Sequence, residues 1–135
     1  MGAYNILYMM ERGELPASEK EAFLATYFTG LFRSMRFGIT EAHAKGAAFQ
    51  YNYYMQTGAA EWLADQERYR LDFDVLEQSI SDLTGEIVRL QGDGSYEATE
   101  TFLQTYVKLD GPAKIVLGEL EDIPYDIRPV YPSEI

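Results

Sequence analysis

The chain reads as all-α: an orthogonal bundle of about six helices followed by an extended, proline-containing tail. Three observations predict this. Apolar residues recur at helical spacing through most segments, most cleanly at Leu76, Ile80, Leu83, Ile87 and Leu90. Residues that start and stop helices fall between those segments: Gly13 and Pro16, Gly38, Gly58, Gly92-Asp93-Gly94 and Gly111-Pro112. Three prolines between 124 and 132 forbid a helix there.

The first helix is expected over 3–12. Tyr4, Ile6, Leu7, Tyr8, Met9 and Met10 place apolar groups on several of its faces, so it should be buried. No Ser, Thr, Asp or Asn caps its start, which suggests a longer helix that has been cut. Ser18-Glu19-Lys20-Glu21 reads as a capping box opening the second helix. Phe23, Leu24, Tyr27, Phe28, Leu31, Phe32 and Met35 make two adjacent apolar stripes along it, and Arg33 and Arg36 suit its negative end. Thr40 is the expected cap of a third helix that carries His43, runs to about residue 57 and closes at Gly58.

Tyr69-Arg70-Leu71-Asp72 reads as a short extended piece. Asp72 or Asp74 caps a fourth helix of about five turns. Ser95 caps a fifth, with Phe102, Leu103 and Tyr106 inward. Gly111-Pro112 starts a short sixth, with Ile115, Val116, Leu117 and Leu120 inward. From Ile123 the chain is expected to form a strap docked on the bundle. Residues 1–135 show no repeat, no low-complexity run and no dividing linker, and read as one helical domain.

Composition excludes several classes. The net charge of −11 repels phosphate backbones and anionic membrane surfaces, so neither nucleic acid nor membrane is an expected partner. No apolar run approaches the roughly 20 residues of a membrane span. The run from Ile6 to Met10 is short, lacks a basic lead-in and ends at Glu11, unlike a signal peptide. Absence of Cys rules out disulfides and fits a reducing, cytoplasmic setting. Eleven Tyr and seven Phe allow large burial with few aliphatic residues.

The single histidine, His43, is the best-placed group for hydrolytic chemistry. Its helical neighbours are Gly46, Ala47, Gln50 and Tyr54. A stripe of His, Gln and Tyr over small residues could line a cleft and donate hydrogen bonds to a carbonyl or oxyanion. Equally, His43 could be a half-buried structural residue where small neighbours let another helix approach, and the residues alone favour this plainer reading. One His and no Cys cannot build a zinc site of the usual kind, which needs three or four ligands.

Arg33 and Arg36 could grip a substrate carboxylate, but capping a helix end or pairing with the many acids is the simpler role. Phe49, Tyr51, Tyr53 and Tyr54 point to different faces and read mainly as core. The acidic pairs Asp72/Asp74 and Glu119/Glu121/Asp122 sit at helix ends and read as solvated. The Gly92 turn lacks the flanks of a phosphate or calcium loop. No Gly-x-Ser-x-Gly, His-Glu-x-x-His or Cys nucleophile is present, so standalone catalysis has weak support.

Three segments carry a resemblance. Tyr27-Phe28-Thr29-Gly30-Leu31-Phe32-Arg33-Ser34-Met35-Arg36-Phe37-Gly38 is followed by Glu41-Ala42-His43-Ala44-Lys45-Gly46 and by Phe49-Gln50-Tyr51-Asn52-Tyr53 with Thr57-Gly58-Ala59. Together they resemble the dipeptidyl peptidase III family of zinc metallopeptidases, in the bacterial zinc-hydrolase branch related to plant forms fused to a nudix domain. Leu71-Asp72-Phe73, Leu90-Gln91-Gly92-Asp93-Gly94-Ser95-Tyr96-Glu97 and Ile123-Pro124-Tyr125-Asp126-Ile127 continue the likeness, which covers nearly the whole chain but only the C-terminal part of such a protein.

The resemblance implies zinc held by two His of a His-Glu-x-x-x-His helix and a Glu of a following Glu-Glu-x-x-Ala-Glu/Asp helix. Neither motif occurs here, and Gly2-Ala3-Tyr4-Asn5 resembles the continuation of that second helix. The chain is thus expected to be a C-terminal fragment of a larger zinc hydrolase, with no cofactor of its own. By the Ala-His match, the resemblance makes His43 the family histidine that meets the substrate carbonyl or tetrahedral intermediate, which favours the cleft role. Gln50, Tyr54 and Arg36 are the residues expected to bind substrate beside it. Animal and fungal members carry Arg four residues after that histidine. Ala47 stands here instead, which bears on substrate anchoring and on dipeptide release.

The expected function is therefore the cleft-lining helical portion of a zinc-dependent peptidase or hydrolase, inactive alone. Its partners would be the rest of the polypeptide and a peptide substrate. The alternative is a standalone acidic helical interaction module that self-associates, as a homodimer, through the exposed flank of the first helix.

Overall fold

A computed structural model describes residues 2–109, 111–120 and 123. Six α-helices and one short hairpin follow in order: α1 (Gly2–Glu11), α2 (Lys20–Met35), α3 (Ala42–Thr57), β1 (Ala60–Leu63), β2 (Arg68–Leu71), α4 (Phe73–Asp93), α5 (Tyr96–Tyr106) and α6 (Gly111–Glu119). The all-α expectation and the helix count hold. The strap expected after Ile123 lies outside the described residues.

The core forms where α2, α3 and α4 meet. Leu24, Phe28, Leu31, Phe32 and Met35 come from α2, Ala47, Ala48, Tyr51 and Tyr54 from α3, and Leu76, Ile80 and Leu83 from α4. Ala3 and Leu7 of α1 and Ala113 of α6 close its ends. The α2–α3 contact is the most extensive between helices, and the small Ala47 and Ala48 let the two backbones approach.

Aromatic rings fill the middle. Phe28 and Phe32 pack against Tyr51 and Tyr69 at centroid separations of 5.4 to 6.2 Å, two of the four pairs edge to face and two tilted, arrangements that suit the ring quadrupoles. The Tyr51 and Tyr69 hydroxyls satisfy one another at 2.9 Å. Tyr69 reaches this cluster from the hairpin, where it pairs with Trp62 in an antiparallel register that also aligns Ala60 with Leu71.

Several local expectations need correction. The Ser18 capping box does not form: Ala17–Glu19 is a 3-10 turn, and Glu19, at the N-cap of α2, makes no side-chain cap bond. The cap position of α3 falls to Glu41, not Thr40, again without a side-chain bond. Helix α1 is buried on one face only, through Ala3, Leu7 and Met10, while Tyr4 and Tyr8 are exposed. Leu103 and Ile115, expected inward, are exposed because α5 and α6 lie at the edge of the bundle with one side free.

Other signals hold. Asp72 caps α4 by accepting from the Val75 N–H at 3.1 Å, and Ser95 caps α5 by accepting from Ala98 at 3.2 Å. Gly58 ends α3 in the left-handed conformation, at φ 79°. Among the described residues, no helix is long and apolar enough to cross a membrane.

Candidate functional site

The path from α2 to α3 sets the site. Helix α2 ends at Met35, and its next backbone bonds run from Arg36 N–H to Phe32 O and from Gly38 N–H to Met35 O. Gly38 then adopts φ 86°, a conformation that costs a residue without Cβ nothing, and the chain turns into α3. The reversal leaves a groove of about 380 Å3 lined by Ser34, Phe37, Gly38, Thr40, Glu41, His43 and Ala44.

His43 is the second residue of α3 and is exposed on this groove. The first amide satisfied inside α3 is that of Lys45, which donates to Glu41 O at 2.9 Å. The N–H groups of Ala42, His43 and Ala44 precede it, and Glu41 closes none of them with its side chain. An imidazole and a helix start with positive partial charge therefore share one concave surface, an arrangement that suits an oxygen gaining negative charge.

The residues expected beside His43 are placed differently. Tyr54 is fully buried. Its hydroxyl meets that of Tyr27 at 2.8 Å. Tyr27 in turn donates to Gln50 Oε1, and Gln50 Nε2 donates to Gly46 O at 2.6 Å. Gln50 is half-buried, and this relay uses both ends of its amide. The stripe is real in direction, but past its first turn it faces α2 instead of solvent. Tyr54 and Gln50 thus brace α3 and do not line the groove.

Burial drives the Tyr27 hydroxyl up to about 12, the hydrogen bond from Tyr54 opposing the shift. Burial and the neighbouring Tyr27 push Tyr54 up as well. Both phenols therefore stay neutral donors at ordinary pH.

Arg36 is half-buried, and its guanidinium donates to the carbonyls of Leu120 and Ile123, just past α6. It caps a helix end, though of α6 and not of its own helix, and lines a separate groove with Met35, Leu109, Lys114 and Leu117. The geometry accordingly sets Arg36 apart from His43. Ala47, four residues after His43, is buried in the core.

Three residues escaped the sequence reading. Tyr27 is the hub of the relay, but a Tyr in an apolar stripe signals only burial. Asn52, nearly buried, donates through Nδ2 to Ala48 O, Tyr106 O and Lys108 O at 2.8 to 2.9 Å and ties the end of α5 to α3. Phe37, 66% exposed, stands on the groove with His43. Among the described residues, no group of three or more His, Asp or Glu is placed to hold a metal ion. The described side chains therefore do not fit a zinc site, which needs three or four ligands.

Comparison with solved structures supplies the family likeness. A dipeptidyl peptidase III from Caldithrix abyssi superposes with a TM-score of 0.91 at 33% identity, covering 96% of this chain and 25% of that one. The fold is that of part of a dipeptidyl peptidase III. The dipeptidyl peptidase III of Corallococcus sp. strain EGB agrees, with a TM-score of 0.87 and 32% identity over 96% of this chain and 24% of its own. A curated relative, Nudix hydrolase 3 of Arabidopsis thaliana, is 36% identical over 134 residues, which is 98% of this chain and 17% of the relative. No family model matches the chain. The chain thus corresponds to about a quarter of each dipeptidyl peptidase III structure and a smaller share of the plant protein, and a C-terminal dipeptidyl peptidase III-like part fits these findings.

Proposed function

We propose that this chain is the C-terminal, cleft-lining helical portion of a larger zinc-dependent peptidase or hydrolase, and that His43 is its contribution to the chemistry. The observation that carries the reading is the exposed imidazole at the start of α3, on a groove, in a fold shared with dipeptidyl peptidase III. In this reading a peptide carbonyl lies against His43. The imidazole donates a hydrogen bond to the oxygen as it gains charge, and the free amides of the first turn of α3 add their partial positive charge. Zinc, with its capacity to activate water, would be held by other parts of the larger enzyme, in keeping with the lack of a three-donor group among the described residues. The natural setting is cytoplasmic, in keeping with a sequence free of Cys.

The test has two arms. Dialysis of the chain against zinc, followed by metal analysis and assay of dipeptidyl substrates, should give substoichiometric zinc and no turnover. Tight stoichiometric zinc, or turnover lost in His43→Ala, would overturn the proposal. The reading frame upstream of the codon for Met1 gives the second arm: an in-frame His-Glu-x-x-x-His segment supports the larger enzyme, and a stop codon supports a module on its own.

The exposure of Tyr4 and Tyr8 on α1 favours a second reading, in which the chain is an acidic interaction module that self-associates along α1. Light scattering after size exclusion should then show a dimer that Tyr4→Glu/Tyr8→Glu dissociates.

A further inference from the structure

The His43 ring is exposed, so where it stands is decided by the backbone that carries it. That backbone is loosely held by its own helix. The N–H groups of Ala42, His43 and Ala44 precede the first bond inside α3, and Glu41 supplies no side-chain cap. Of the first four residues only Ala44 is buried, and its methyl group gives little packing. Gly46 follows one turn on, and a glycine inside a helix loosens it through the freedom of its backbone. The packing does not demand this glycine: a Cβ there would meet only the Phe49 ring, at 4.0 Å.

A side-chain relay offsets the weakness. Gln50 Nε2 donates to Gly46 O at 2.6 Å, and Gln50 Oε1 accepts from the Tyr27 hydroxyl. Tyr27 belongs to α2 and is itself fixed. Its ring stacks on Phe23 and meets Tyr54 edge-on, both at 6.2 Å, and its hydroxyl meets that of Tyr54 at 2.8 Å. The carboxamide of Gln50 thus ties the carbonyl of the one glycine in α3 to a firm point on the neighbouring helix. Gln50 lies two turns from His43 and off the groove, so its influence on the imidazole passes through the start of the helix.

We infer that Gln50, held by Tyr27, is a positioning residue: it fixes the first turn of α3 against α2 and so keeps the His43 ring on the groove. This inference rests on the carbonyl-binding role proposed for His43. Three variants of the full chain test it. Gln50→Met keeps length and volume and removes both hydrogen bonds. Tyr27→Phe keeps Gln50 and removes its anchor. Asn52→Ala, further along α3, is the control that weakens the fold without touching the relay. Hydrogen exchange at the Lys45 amide, which donates to Glu41 O, reports on the first turn. Titration with acetyl-Ala-Ala-Ala-amide, followed at the His43 ring by NMR, reports on the site. In Gln50→Met, Lys45 should exchange at least about fivefold faster and His43 should need at least about fivefold more peptide, the effect of losing one hydrogen bond. Tyr27→Phe should move both in the same direction by a smaller factor, and it carries the test if Gln50→Met does not fold. Asn52→Ala should move neither, even as its melting temperature falls. Wild-type exchange at Lys45 in Gln50→Met would overturn the inference, and so would faster exchange with an unchanged peptide response. Equal losses in Asn52→Ala would reduce the relay to one structural contact among others and sink it too. If the wild-type chain itself does not respond to the peptide, the carbonyl-binding reading fails first and the inference falls with it.

Discussion

The hydroxyls of Tyr27 and Tyr54 meet at 2.8 Å across the contact between α2 and α3, and the bond begins a relay that ends on Gly46 O, one turn from His43. The two members are not equivalent. Tyr27 both accepts and donates, whereas Tyr54 lies at the closed end. Tyr27→Phe strands a buried Tyr54 hydroxyl and should cost about 1–3 kcal/mol. Tyr54→Phe removes the end group itself and should cost about 1 kcal/mol or less. Urea unfolding of the two variants checks the order.

The same pair makes the fold sensitive to alkali. Burial raises Tyr27 from 10 to about 12 and raises Tyr54 as well, so between these values the folded state holds protons that the unfolded state has released. Stability should be level below pH 10 and fall from pH 10 to 12. Tyr53, shifted in the same direction mainly by burial, adds to the slope. Tyr27→Phe/Tyr54→Phe should start lower and decline less steeply in melts from pH 8 to 12.

His43 is exposed, and no core contact depends on its ring. His43→Ala should change stability by no more than about 0.5 kcal/mol. Peptide-induced shifts at the Ala42 and Ala44 amides should nevertheless weaken. A large loss of stability in the thermal melt would place the ring in a structural role instead.

Asn52 ties α3 to the end of α5 through Tyr106 O and Lys108 O. Asn52→Ala leaves those carbonyls without that donor and should cost about 1–3 kcal/mol. Hydrogen exchange should show the last turn of α5 opening first, ahead of α3.

Ala47, four residues after His43, is 4% exposed. Ala47→Arg forces a long cation into the α2–α3 contact and should cost at least about 3 kcal/mol. Wild-type stability in that variant, measured by urea unfolding, would mean that α3 can rotate to free the position.

The sequence made α4 legible in detail, because the Leu76-Ile80-Leu83 seam, the Asp72 cap and the Gly94 stop all point to one helix. It hid the hairpin. The strands are four residues each, and the turn between them contains no glycine; Glu67 takes the positive φ of 49° instead. Of the site, His43 could be singled out as the one imidazole. A helical wheel aligns Gln50 and Tyr54 with it correctly, but the wheel carries direction without position along the axis. Where α2 begins to cover α3 is a tertiary fact, and it decides that His43 meets the groove and Tyr54 does not.

Helix α3 is rooted at one end in the aromatic core, through Tyr51 and Tyr54, and open at the other, where His43 sits. It behaves as a cantilever: the weight is borne at the root, and the tip is free of it. A chemist could therefore exchange the tip for a fluorinated imidazole, a thiol for labelling or a chelating side chain and keep the same scaffold beneath each one. That turns a single exposed position into a mount for interchangeable reagents.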